Sequence, residues 1–287
     1  MTLPNSDIPT PVDDGLICPE VGRWARTKYR LISLYDALFS TGMKDKWDVR
    51  FYLDLYAGAG YNKIRGTSTI VFGSPLLAIN VKHPFDKYIF CEEAADKLEA
   101  LKQRTKRLAP NADVTYIAGD CNSKIDDILK AIPRGSKELK VLGLCLVDPY
   151  DLGIKIETLR LLSSRFIDFL CLLALSMDAR RNYQRYVEPE SKKVDDFLGD
   201  SEWRKKWATA QASRIEFPKF LAVEFADRMR ALDYIPPPLY TMKEVRSDEK
   251  NLPLYHLALF SRSQRAYDFW GEVLKYSTEQ TVFSFEG

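Results

Sequence analysis

The seven residues Val141–Val147 limit what this chain can fold into. Val-Leu-Gly-Leu-Cys-Leu-Val has no polar side chain and stops abruptly at Asp148-Pro149-Tyr150. A strand with one wet face alternates apolar and polar residues. An unbroken apolar run needs cover on both faces, as a central strand has in a parallel sheet between two layers of helices. Sheets of that kind are wound by alternating strands and helices.

The remaining sequence supplies that alternation. Apolar residues recur at helical spacing over 21–39, and a β-rich run follows at 49–55. Ser74-Pro75 reads as an N-cap followed by proline in the first turn, opening a helix to about residue 81. Strands are predicted at 88–91 and 114–117, with helices at 94–108 and 123–131. Beyond the central run come a helix at 156–163 and a buried strand at 166–175. The pattern then breaks into a charged, aromatic stretch, a longer helix at 213–232, and two strands at 238–245 and 255–260 joined by the polar turn 246–251. A last helix is read over 262–276. Such a chain is α/β. The closing strand–turn–strand points to the Rossmann-like class I methyltransferase fold, a seven-stranded mostly parallel sheet ending in an antiparallel hairpin, rather than a dehydrogenase-type sheet that ends in parallel strands. We read one domain over 17–287, with a helical cap inserted after the fifth strand at about 176–212.

Composition excludes several classes. No apolar run approaches about 18 residues, so no membrane span is expected. The polar, proline-containing segment 1–16 lacks the plan of a signal peptide and reads as a flexible arm on a cytoplasmic protein. A net charge of +2 argues against a dedicated duplex-binding module. Five cysteines without a CxxC pair, and only two histidines far apart, argue against a metal site or a histidine-based triad.

In open α/β sheets, ligands bind beyond the carboxyl ends of the strands. The first strand ends at Asp54, followed by Gly58 and Gly60, where bare backbone can approach a ligand and an acid suits an ammonium group. A dinucleotide fingerprint would want a small residue at 63, which is lysine. The second strand ends at Glu92, with Glu93 as alternate; an acid there can accept both hydroxyls of a ribose, or simply open a helix. The third ends at Gly119-Asp120-Cys121-Asn122, where Asp120 can accept an adenine amino group, although Asp120 or Asn122 suits a helix N-cap equally well. Three successive strand ends thus carry, in order, the chemistry that would hold S-adenosylmethionine (SAM).

Asp148-Pro149-Tyr150 stands where methyltransferases place the acceptor. A carboxylate can take a hydrogen bond from an amine, and an aromatic ring can stack on a base. The tripeptide is similar to the Asp-Pro-Pro-Tyr box of adenine amino methyltransferases, lacking its second proline; a plain strand-ending turn uses the same residues.

Taken together these motifs resemble the three-Cys-motif partner proteins (TcmP), bacterial class I methyltransferase-like proteins. The resemblance covers about residues 20–260. It is carried by Trp24 and Lys28, the run from Tyr52 to Gly60, Gly73 to Ala78, Glu92, Gly119 to Asn122, Val147 to Tyr150, and Arg181-Asn182. The family's phenylalanine in the first motif is Tyr56 here, and its glycine after Asp-Pro-Tyr is Asp151. The resemblance implies a SAM-binding Rossmann-like fold and a partner protein bearing a three-cysteine motif. It also implies cofactor contacts from Tyr56, Ala57 and Cys121, and substrate contacts from Lys28, Arg181 and Asn182.

The cap carries basic residues among aromatics, from Arg180 to Tyr186 and from Trp203 to Trp207, which suits a nucleic-acid substrate. Six acids in the same stretch suit a solvated amphipathic lid instead. The functional expectation is a SAM-dependent methyltransferase acting on a nucleic-acid base amine. A methyltransferase of a protein partner and a SAM-binding module without catalysis are the competing classes.

Overall fold

In the computed structural model, residues 11–247 and 252–282 are described, with side chains to residue 275. The sequence-predicted arm therefore lies largely, and the turn 246–251 mostly, outside the described residues. The chain divides into two compact units, Met1–Leu146 with Arg265–Gly287, and Val147–Gln264.

The first unit opens with β1 (Glu20–Val21) and α1 (Ala25–Met43), followed by β2 (Val49–Asp54). A hairpin of β3 (Tyr61–Ile64) and β4 (Ile70–Phe72) leads into α2 (Ser74–Ile79). Then come β5 (Lys87–Glu92), α3 (Ala95–Leu108), β6 (Val114–Ala118), α4 (Ile125–Ala131) and β7 (Val141–Val147). The second unit holds α5 (Ile156–Leu162) and β8 (Ile167–Leu173), then a π-helical turn at Leu175–Ala179. It continues with α6 (Tyr183–Val187), α7 (Lys193–Leu198), α8 (Trp203–Ala212) and α9 (Phe217–Arg230). A 3-10 turn at Leu239–Thr241 precedes β9 (Lys243–Arg246) and β10 (Pro253–Phe260), and α10 (Gln264–Val282) follows.

The main sheet has seven strands in the order β6-β5-β2-β7-β8-β10-β9. Pairing is parallel from β6 to β7, and antiparallel on both sides of β10. This is the α/β sheet expected from the sequence, including its antiparallel ending. All seven residues of β7 are buried, as its composition requires. Gly143 within it is explained by close packing: a Cβ there would lie 2.2 Å from the ring of Phe51, its register partner on β2.

Three elements were not foreseen. β1, β3 and β4 form a second, small sheet in which β1 runs parallel to β3. The glycine loop after β2 therefore leads into a hairpin, and its helix α2 starts only afterwards. Gly73, rather than Ser74, is the N-cap of α2, and the loop is closed by Gly73 N–H donating to Gly60 O at 2.7 Å. The helix expected over 213–232 begins at Phe217, after Arg214 has turned left-handed (φ 57°). The strand expected from 238 begins at Lys243, since the proline run and a 3-10 turn precede it. Among the described residues no helix is long and apolar enough to cross a membrane, and no three metal-ligating side chains come together.

Candidate functional site

Parallel pairing in the first unit brings the ends of β2, β5 and β6 into line. Ala57 N–H donates to Cys91 O at 2.9 Å, and Gly119 N–H donates to Glu92 O at 3.0 Å. Residues 54–60, 91–94 and 118–123 thus form one edge, which assembles Asp54, Tyr56, Ala57, Gly58, Gly60, Glu92, Asp120, Cys121 and Asn122 as the sequence ordered them.

Within that edge the glycines serve different ends. Gly58 (φ 66°) and Gly60 (φ 83°) are both left-handed. A Cβ on Gly58 would meet no atom within 4 Å, whereas one on Gly60 would press on Leu76 Cδ1 at 2.9 Å and Leu101 Cδ1 at 3.0 Å. Gly60 is needed by the protein's own packing, and Gly58 by the backbone angle that leaves its face open.

Glu92 is the best-organised acid of the edge. Its Oε2 accepts Gly58 N–H at 2.8 Å and its Oε1 accepts Ala94 N–H at 2.9 Å. Each oxygen keeps a second lone pair, so the half-buried carboxylate is fixed in orientation and still able to accept two hydroxyl donors. This fits the vicinal hydroxyls of a ribose. Glu93 is exposed and starts no comparable network among the described contacts.

Asp54 is fully buried, and its Oδ1 accepts Tyr56 N–H at 3.1 Å, so it braces the loop from within. Sequence reasoning missed a second acid below it. Asp36 on α1 is fully buried, and among the described residues neither of its oxygens accepts a hydrogen bond. Burial first, and the charge of Asp54 second, push its carboxyl well above the ordinary range.

Asp120 is not the N-cap of α4, a position that Lys124 holds without a side-chain cap; it organises the turn ahead of that helix. Its Oδ1 accepts from Asn122 N–H at 3.2 Å and Nδ2 at 3.0 Å, and its Oδ2 accepts from Ser123 N–H at 3.2 Å and Oγ at 2.9 Å. Asn122 is turned inward by the same contact. The carboxylate shapes the turn before α4; the edge that would face an adenine comprises that turn's backbone and Cys121. Cys121 is buried, and burial pushes the thiol up to about 11 against the opposing influence of the nearby Tyr56 hydroxyl. It is a neutral wall of the edge.

Lys28 lies in the same unit, 4% exposed, with its ammonium 4.5 Å from the ring centre of Tyr29 and 5.3 Å from that of Trp24. Tyr29 accepts a hydrogen bond from Asn62 Nδ2 at 3.0 Å, beside Gly73. The ammonium is held between aromatic faces, where a cation is worth more than in water.

The second unit carries the tripeptide Asp148-Pro149-Tyr150. Asp148 is half-buried, Pro149 buried, and Tyr150 is 69% exposed. The loop beyond it is anchored by a residue the sequence reading passed over. Asp178, in the π-helical turn after β8, accepts Leu152 N–H at 2.9 Å, Tyr186 Oη at 2.8 Å and Asn182 Nδ2 at 2.7 Å. Lys193 adds a 2.7 Å contact to Asp151. Asn182 thus turns toward Asp178, while its neighbour Arg181 is exposed. The only sequence signal for Asp178 was its place at the end of the fifth strand.

Aromatics of the cap face inward. Tyr186, Trp203 and Trp207 are buried, and Phe217 packs within 5.0–6.0 Å of Tyr183, Trp203 and Trp207. These rings form the cap's own core and are unavailable as stacking platforms. Arg204 is likewise tied to Asp195 and to the carbonyls of Glu188 and Ser191.

No protein-family model and no curated protein matches the sequence. Solved structures that match include a geranyl diphosphate methyltransferase in complex with SAM, at 12% identity and TM-score 0.43, covering 84% of this chain and 85% of that one. Trm1 from Pyrococcus horikoshii with S-adenosyl-L-methionine matches at 9% identity and TM-score 0.40, over 93% of this chain and 61% of that one. A protein from Legionella pneumophila matches at 18% identity and TM-score 0.40, over 61% of this chain and 74% of that one.

Proposed function

We propose that the protein is a SAM-dependent methyltransferase acting on an amine of a nucleic-acid base. The observation that carries the reading is the Glu92 carboxylate, held by Gly58 and Ala94 at the carboxyl edge of the parallel strands with two acceptor positions left over. Bound SAM would supply an electrophilic methyl group on a sulfonium. The chain's own part is to hold the ribose at Glu92 and to pass the methionyl moiety over Gly58. Asp148 would accept a hydrogen bond from the acceptor amine and take up the proton it loses. Exposed Tyr150 offers a face for a planar substrate.

The resemblance to the three-Cys-motif partner proteins supports the same cofactor. It also suggests a partner bearing that motif, and rests on the motif residues alone. Burial of the cap's aromatics weakens the nucleic-acid reading relative to methylation of a protein partner, so both acceptors belong in one assay.

Titration calorimetry with SAM tests the cofactor, and transfer of labelled methyl to fractionated RNA, DNA and protein tests the acceptor. Glu92→Ala should weaken SAM binding at least tenfold, about 1.4 kcal/mol. Asp148→Ala should keep SAM affinity and lose transfer. Label appearing only in protein rejects the base-amine acceptor, and binding without transfer to any fraction leaves a SAM-binding module.

A further inference from the structure

Arg104 on α3 is 1% exposed, yet each of its five N–H groups has an acceptor. Nε and Nη2 donate to the two oxygens of Asp14, at 3.0 and 2.6 Å. Nη2 also reaches Leu16 O at 3.3 Å, and Nη1 reaches Ile17 O at 2.9 Å. The remaining Nη1 donor goes to Ala59 O at 2.7 Å, and the guanidinium lies 4.2 Å from the ring centre of Tyr61. Asp14 receives a further contact from Arg107 at 3.3 Å.

Ala59 is the residue between the two left-handed glycines, and its neighbour Gly58 donates to Glu92. The Arg104 contact and the Glu92 contact therefore hold adjoining residues of one loop, Ala59 through its carbonyl and Gly58 through its amide. The chain from residue 14 onward stays attached beyond that point. Lys63 N–H donates to Pro19 O and Arg65 N–H to Val21 O, each at 2.9 Å, where β1 runs along β3. Residues 14–21 thus form a strap that, among the described residues, is anchored by one full charge, Asp14.

We propose that Asp14 is a positioning residue for the adenosyl ligand, and that the strap and the ligand strengthen each other's hold on the loop Gly58–Gly60. The inference rests on the SAM reading given above. Arg104 fixes the direction of the Ala59 carbonyl, and so the amide plane shared with Gly60. With Asp14 neutral, a buried guanidinium loses its counter-charge and the loop its fixed point. Coupling of this kind is reciprocal: a strap that favours ligand binding must itself be held more firmly when the ligand is present.

Two measurements on the full chain decide it. Hydrogen exchange of the unmodified protein, with and without saturating SAM, should show slower exchange of the amides of residues 14–21 in the presence of SAM. Asp14→Asn should bind SAM about tenfold more weakly at a temperature where both proteins are folded. A purely structural Asp14 would lower the melting temperature of the free protein and leave both the SAM affinity and the SAM-dependent protection at parental values; that result overturns the proposal. If Asp14→Asn does not fold, exchange in the parent decides alone, and a strap indifferent to SAM overturns it. A parent that fails to bind SAM overturns the cofactor reading and this inference together, whereas tight parental binding with an indifferent strap overturns the strap alone.

Discussion

Gly58 and Gly60 stand two residues apart with backbone angles of one hand, yet an added methyl group meets different surroundings at the two. At Gly58 the left-handed angle is the sole obstacle, so Gly58→Ala should cost about 1–2 kcal/mol of stability. At Gly60 the same strain is joined by contact with Leu76 and Leu101, and Gly60→Ala should cost roughly 1–3 kcal/mol more. Urea unfolding of the two variants measures the difference directly. Asp168 on β8 poses another single-residue question. Burial pushes its carboxyl up to about 7, opposed by the Ser261 hydroxyl and by Arg262. In the unfolded chain the same acid ionises near 3.9. The folded state therefore binds the extra proton between about pH 4 and 7, and stability falls as pH rises through that window. Asp168→Asn, neutral throughout, should flatten this slope and melt higher than the parent at pH 8, relative to their difference at pH 5.

At the scale of elements, α10 returns to the first unit after the second is complete. Its Trp270 is 1% exposed and meets Tyr35 edge-on at 5.8 Å, while Phe269 fills the space left by Gly42 on α1. Trp270→Ala should destabilise that unit by about 3–5 kcal/mol, read as an earlier thermal transition. The elements legible in the sequence were those with long apolar runs or sustained helical spacing, and β7 is the clearest. β3 and β4, with four and three residues, are too short for alternation to register. β1 exists only through its pairing with β3, about forty residues away. The aromatics at 203 and 207 carried an ambiguous signal. Basic–aromatic interleaving is the same pattern whether the rings meet a base or, as here, another helix.

For the molecule as a whole, the succession of parallel strands and the closing antiparallel hairpin were readable, and an acid or a glycine marks the ends of β2, β5 and β6. What escaped notice was joined by contacts distant in sequence. Arg104 is one basic residue on an amphipathic helix, and nothing near it marks the carboxylate ninety positions earlier that neutralises it. Asp178 escaped because the loop it holds lies twenty-six residues upstream. Glu92 could be chosen over Glu93 from its position, but its two amide donors come from different strand ends and needed the fold.

The interrupted first unit has a consequence for biosynthesis. Roughly 120 residues separate β7 from the helix that completes the unit. At a synthesis rate of roughly 5–20 residues per second, the ribosome needs roughly 6–24 s to cover that distance. Throughout that interval Tyr35 and its neighbours on α1 lack their aromatic cover, so a nascent chain stalled before residue 265 should be a preferred client of chaperones that recognise exposed rings.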